Sequence, residues 1–126
     1  MPQTTTETSA TTQPTEQQNL NRLDETSEQF LARLTESPVE VRVEELAALF
    51  FTIAEIALFI GMDEEELRTE ITCDTESPIS QAYYHGKLRT KILLRFDSRN
   101  FALHGSPQAA QEMREYLSDQ QIDENA

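Results

Sequence analysis

Residues 52–71 read TIAEIALFIGMDEEELRTEI, and the order of caps, apolar positions and glycine in that stretch decides the fold. Thr52 stands three residues before Glu55, the capping-box spacing at which a hydroxyl and a carboxylate satisfy orphan amides at a helix start. Ile53, Ile56, Ala57 and Ile60 recur at intervals of three and four, which places them on one helical face. Gly61 is suited to the left-handed conformation that ends a helix. Asp63, a favoured cap, precedes Glu66 by three and opens a second short helix on which Leu67 and Ile71 lie four apart. Two helices broken only at Gly61-Met62-Asp63 predict a helix-turn-helix unit. The small Ala57 lets the helices approach, and Met62 and Leu67 fill the angle between them. Glu70 occupies a position where an apolar residue is expected, with Ile71 beside it. An ordinary α-hairpin is the competing reading.

Working outward toward the N-terminus, Leu46, Leu49 and Phe50 read as the apolar face of a helix beginning near Val43. The stretch Val39-Glu-Val-Arg-Val43 alternates as a strand would, but no partner strand is visible, so it reads as the lead into that helix. Leu20, Leu23, Phe30, Leu31 and Leu34 share a stripe on a first helix over 21–36, which stops before Pro38. Residues 1–20 are mostly Thr, Gln, Ser, Glu and Pro. So little apolar surface cannot offset an ordering entropy of roughly 1–2 kcal/mol per residue, and a disordered tail is expected there.

Toward the C-terminus, a turn around Asp74–Pro78 leads into a long helix from about Ile79 to His104. Gly86 inside it costs about 1 kcal/mol relative to Ala, so it marks either a bend or close helix packing. Gly105 ends this helix. Ser106-Pro107 restarts another with a cap and a proline at the first position. Ala109, Ala110, Met113, Tyr116 and Leu117 give that short last helix its packing face, and residues 120–126 are expected to fray. The fold class is therefore all-α: a helix-turn-helix, a long basic helix and a short C-terminal helix in one domain over 21–119. With three glycines in 126 residues, the chain lacks the turn chemistry a sheet protein needs.

The bulk numbers narrow the function. The single cysteine, Cys73, excludes an internal disulfide. No apolar run reaches the ~18 residues of a membrane span, and no basic-then-apolar leader opens the chain, so no membrane partner and a cytoplasmic location are expected. His85, His104 and Cys73 fall in no metal or nucleophile spacing. Asp63–Glu66 lacks the alternating ligands and glycine of a calcium loop, and no glycine-rich phosphate loop is present. No enzymatic activity, cofactor or metal is expected.

Charge is the informative property. The net value is −13, yet Lys87, Arg89, Lys91, Arg95 and Arg99 place five of the ten basic residues in one short segment, where only Asp97 opposes them. Lys87, Lys91, Arg95 and Arg99 recur every four residues, a drifting helical stripe with Tyr83, Tyr84 and His85 just upstream. So many cations suit phosphate-backbone contact without base readout. Equally, the stripe suits neutralisation inside the protein or between subunits, against acidic faces such as Asp63–Glu66. The second helix of the helix-turn-helix would meet a major groove with Asp63, Glu64, Glu65 and Glu66, which phosphates repel, and with Arg68 as its one cation. Those carboxylates also suit the positive end of a helix dipole and a soluble surface.

Three segments carry a family resemblance: TIAEIALFIGMDEEEL, then SPISQAYYHGKLRTKILLR over 77–95, then FALHGSPQAAQEMREYL over 101–117. Together they resemble the small helix-turn-helix proteins of phages and prophages, notably terminase small subunits. In that group an Ala-x-x-x-Gly stretch such as Ala82–Gly86 opens a long basic helix. An Ala-x-x-Gly-(Ser/Asn)-x-x-Ala stretch such as Ala102–Ala109 leads into the last helix. The resemblance implies recognition of viral double-stranded DNA for packaging, self-assembly into a homo-oligomer, and delivery of that DNA to a large terminase subunit, in the host cytoplasm. It makes Arg68, Lys87, Arg89, Lys91 and Arg95 the DNA-contact candidates. The alternative is a helical protein-interaction module that keeps the scaffold without binding DNA.

Overall fold

A computed structural model describes residues 24–126. The tail expected over 1–20, and Leu20 and Leu23 of the first apolar stripe, lie outside the described residues. Among those described, the protein is entirely helical: α1 Ser27–Thr35, α2 Val39–Ala48, α3 Ile53–Ile60, α4 Glu64–Cys73, α5 Pro78–Leu103 and α6 Pro107–Glu124. No helix among them is long and apolar enough to cross a membrane. The described residues divide into two compact units, 24–37 and 38–126.

In the first unit, Thr26 accepts from the Gln29 amide while the Gln29 side chain accepts from the Thr26 amide, a complete capping box. That box starts α1 at Ser27, later than the periodicity from residue 21 implies. Arg33 pairs with Glu25 at 2.8 Å and stacks over Phe30.

The second unit holds the helix-turn-helix. At the head of α3 the Thr52–Glu55 capping box is formed in both directions, and Gly61 ends the helix in the left-handed region at φ 75°. The amides of Gly61 and Met62 both return to the Ala57 carbonyl. The Asp63 carboxylate accepts from the Glu66 amide and opens α4. Ile56, Ala57, Leu67 and Ile71 are buried where the two helices meet the rest of the unit. Each large one contributes roughly 1.5–3 kcal/mol through removal from water.

The alternating valines belong to a helix. Pro38 caps α2, which begins at Val39 instead of near Val43 and buries Val43, Leu46, Ala47 and Ala48. The spacing of those four is helical, and it overrides the alternation of Val39, Val41 and Val43, of which only Val43 enters the core. Leu49 and Phe50, expected on the face of this helix, lie beyond its end and are about half exposed. Phe50 takes the left-handed conformation at φ 65°, and its amide returns to the Ala47 carbonyl. This is the stop that glycine supplies after α3, made here by an aromatic residue at a steric cost of roughly 1–2 kcal/mol.

α5 packs most extensively on α2, and Gly86 is the reason it can. A Cβ at Gly86 would lie 2.1 Å from the backbone oxygen of Glu44, so the glycine serves close helix contact. The start of α5 is tied to α4 by two serines. Ser77 caps α5 and donates to the Glu70 carboxylate, and the buried Ser80 hydroxyl donates to the Ile71 carbonyl at 2.7 Å. Glu70, out of pattern in the sequence, thus has a polar partner.

At its other end α5 gives way to Gly105 at φ 103°, and Ser106-Pro107 starts α6 with the Ser106 hydroxyl accepting from the Ala109 amide. Contacts between Ser98 and Glu112 and between Arg95 and Tyr116 set the two helices antiparallel, as a hairpin. α6 continues through Glu124, past residue 119, because nothing in Ser118–Glu124 breaks a helix. Leu117, read as part of its packing face, is half exposed.

Candidate nucleic-acid interface

The five basic residues expected at a DNA contact occupy three different environments. Arg68 projects from α4 and is held by Glu64, one turn earlier, at 2.9 Å in an exposed pair. That hydrogen bond raises the Arg68 pKa above its ordinary value. Desolvation opposes it, and the charges of Glu64 and Glu65 and the Tyr83 phenol add to the rise. Arg68 is therefore a permanent cation in an acidic surround.

Lys87 sits one turn along α5 from Tyr83, with its ammonium 5.9 Å from the ring centroid. Tyr83 also meets Tyr84 edge-on at 5.1 Å. Arg68 and Lys87 thus lie on different helices, and the Tyr83 phenol acts on the charge of the first while its ring lies beside the second. The sequence hint is the Tyr83-Tyr84 pair just ahead of the basic run, but nothing in the sequence links Arg68 to it.

Arg89 turns the other way. It donates to Glu44 at 2.7 Å and approaches Glu45 at 3.5 Å, both on α2, and His85 Nδ1 lies 3.7 Å from the same Glu44 carboxylate. Internal neutralisation within the basic segment thus occurs at Arg89, off the four-residue stripe and against α2, while the carboxylates of Asp63–Glu66 remain exposed at the head of α4.

Lys91 and Arg95 belong to the hairpin. Lys91 is half-buried, and the Arg95 guanidinium lies 4.0 Å from the ring centroid of Tyr116 on α6. Stacking of this kind holds the guanidinium plane against the aromatic face and fixes its direction. Arg99, one turn on, rests over Phe96 of its own helix at 5.2 Å. The four-residue repeat drifts around α5, so its cations do not present one continuous exposed face.

Two open depressions flank these groups. One, of about 710 Å³, runs between α2 and α5 past Glu40, Glu44, Tyr84, His85 and Leu88. The other, about 600 Å³, lies beside the helix-turn-helix, where Glu65, Glu66, Glu70 and Asp74 surround Met62, Thr69 and Cys73. Among the described residues, no three His, Cys, Asp or Glu side chains are grouped to hold a metal ion. Comparison with protein families, curated proteins and solved structures returned no match for this chain.

Proposed function

We propose that this chain is a DNA-binding adaptor of the terminase-small-subunit type, a small helix-turn-helix protein that contacts viral duplex DNA and presents it to a protein partner. The observation that carries the reading is that Arg68, from the second helix of the helix-turn-helix, and Lys87, at the start of the basic run on the long helix, are both exposed, with Lys87 beside the Tyr83 ring. Exposed cations on two packed helices suit phosphate contact, and neither requires base readout. The exposed Arg68–Glu64 pair is of the kind that adds little to stability, so Arg68 can exchange its carboxylate for a phosphate. Arg89, Lys91 and Arg95 act at a distance, lowering the negative potential along α5.

Binding through few phosphates to a protein of net charge −13 is weak and salt-sensitive. Fluorescence anisotropy with a labelled duplex at low salt, repeated over a salt series, tests it. Affinity should fall with log salt, and Lys87→Ala with Arg68→Ala should flatten the slope by about 0.9 for each phosphate no longer neutralised. No binding to any duplex at the lowest salt, the genome's own packaging region included, would exclude the reading.

A second reading, a protein-interaction module without DNA binding, is favoured by the acidic depression beside the helix-turn-helix. Its four carboxylates suit a cationic segment of a partner. This reading expects Glu65→Ala with Glu66→Ala to abolish capture of a basic partner while leaving duplex binding unchanged or stronger.

A further inference from the structure

The cations of the basic run differ in what already holds them. Among the described residues, Arg89 is the one member of the run in contact with carboxylates. Its Nη1 donates to Glu44 Oε2 at 2.7 Å, and its Nη2 lies 3.5 Å from Glu45 Oε2. Lys87, Arg95 and Arg99 rest against aromatic rings instead. Two neighbouring carboxylates thus face the two terminal nitrogens of one guanidinium. That is the fork with which an arginine takes the oxygens of a phosphate.

The contact is a product of the fold and not of helix periodicity, because the carboxylates come from another helix. Gly86 lets α2 approach until a Cβ there would lie 2.1 Å from the Glu44 backbone oxygen. Arg89 follows Gly86 by three residues and so shares its face of α5, which sets the guanidinium beside the Glu44 side chain. The Arg89 side chain is nonetheless 42% exposed, so a phosphate can reach it from solvent. Glu44 also has somewhere to go, since His85 Nδ1 lies 3.7 Å from the same carboxylate.

We infer that Glu44 and Glu45 form an autoinhibitory contact, occupying the Arg89 fork in the place of a phosphate and holding down affinity for duplex DNA. The inference rests on the DNA-binding reading and names how that site is restrained. While the fork is occupied, Arg89 contributes only its field. A phosphate has to displace a carboxylate before Arg89 bonds to it. An exposed ion pair is weak enough to yield. The contact therefore sets a threshold, crossed by a duplex that offers several adjoining phosphates to the run and not by an isolated anion.

Fluorescence anisotropy of the full chain with a labelled duplex at low salt tests it. Glu44→Gln, which keeps the size of the side chain, should tighten binding about 5-fold, the upper end for releasing an exposed ion pair. Asp119→Asn removes the same charge from an exposed position on α6 and should tighten it less than about 2-fold, through net charge alone. Against log salt, the slope should steepen by about 0.9 in Glu44→Gln, as one more phosphate is neutralised, and stay unchanged in Asp119→Asn. Arg89→Ala should cancel the gain in the Glu44→Gln background while costing the unaltered chain less than about 2-fold. Helical circular dichroism should be the same in all of them. Equal gains in Glu44→Gln and Asp119→Asn, or a gain that survives Arg89→Ala, overturn the inference and leave the DNA-binding reading standing. No duplex binding by the unaltered chain or by Glu44→Gln overturns both.

Discussion

The two halves of α5 are built on opposite rules. The first half, through Arg89, turns small residues inward. Ser80, Ala82 and Gly86 are buried, and they let α2 and α4 approach closely enough for backbone and hydroxyl groups to bond. The second half turns polar and basic groups toward its neighbour α6 and leaves leucine, isoleucine and phenylalanine facing water. One continuous helix thus serves as core in one half and as surface in the other. A long helix with no consistent apolar face is a sign that its two halves meet different partners.

The sharpest way to break this contrast is at Gly86. A valine there drives its side chain into the Glu44 carbonyl and forces α2 and α5 apart. A loss of about 3 kcal/mol or more, or failure to fold, is expected in urea denaturation, well beyond the ~1 kcal/mol that replacing a helical glycine would return. Gly86→Val retaining full stability would mean that the close contact is not part of the native packing.

A paired truncation is next in size. Leu67→Ala, in the core beneath the helix-turn-helix, should cost about 2–5 kcal/mol by opening a cavity. Leu93→Ala, on the outward face of the distal half, should change stability by no more than ~0.5 kcal/mol. Equal losses at the two sites would erase the distinction between the halves.

The smallest pair concerns hydrogen bonds. Ser80→Ala removes the buried bond to the Ile71 carbonyl and should cost about 1–2 kcal/mol in the same denaturation experiment. Ser98→Ala removes an exposed bond to Glu112 and should stay within ~0.5 kcal/mol.

How far the sequence carries depends on how local the signal is. The helix-turn-helix is legible because its determinants sit within a few residues of where they act: the Thr52–Glu55 box, Gly61, and the Asp63 cap. The same holds for Ser106-Pro107 at α6. α2 is harder, because three alternating valines imitate a strand and the helical register shows only when Leu46 and Ala47 are counted with Val43. Phe50 as a helix stop leaves no trace, since nothing in its chemistry favours a left-handed backbone. Gly86 reads equally as bend or contact, and only the position of Glu44 decides between them.

The candidate site depends still more on tertiary phase. Periodicity places Lys87, Lys91, Arg95 and Arg99 on one stripe. Whether a stripe is free or covered is fixed by which side α6 takes, and the spacing of charges does not encode that. Likewise, how Arg68 on α4 is placed relative to the basic run of α5 is a product of how the two helices dock. Glu44 and Glu45, the partners of Arg89, belong to a helix whose own start the alternating valines disguise.

Amide hydrogen exchange along α5 tests the contrast most directly. Amides from Ser80 to Arg89 should be strongly protected, because that half packs on α2 and α4. Those from Ile92 to Leu103, covered by α6 alone, should exchange faster. Equal protection in the two halves would contradict the account.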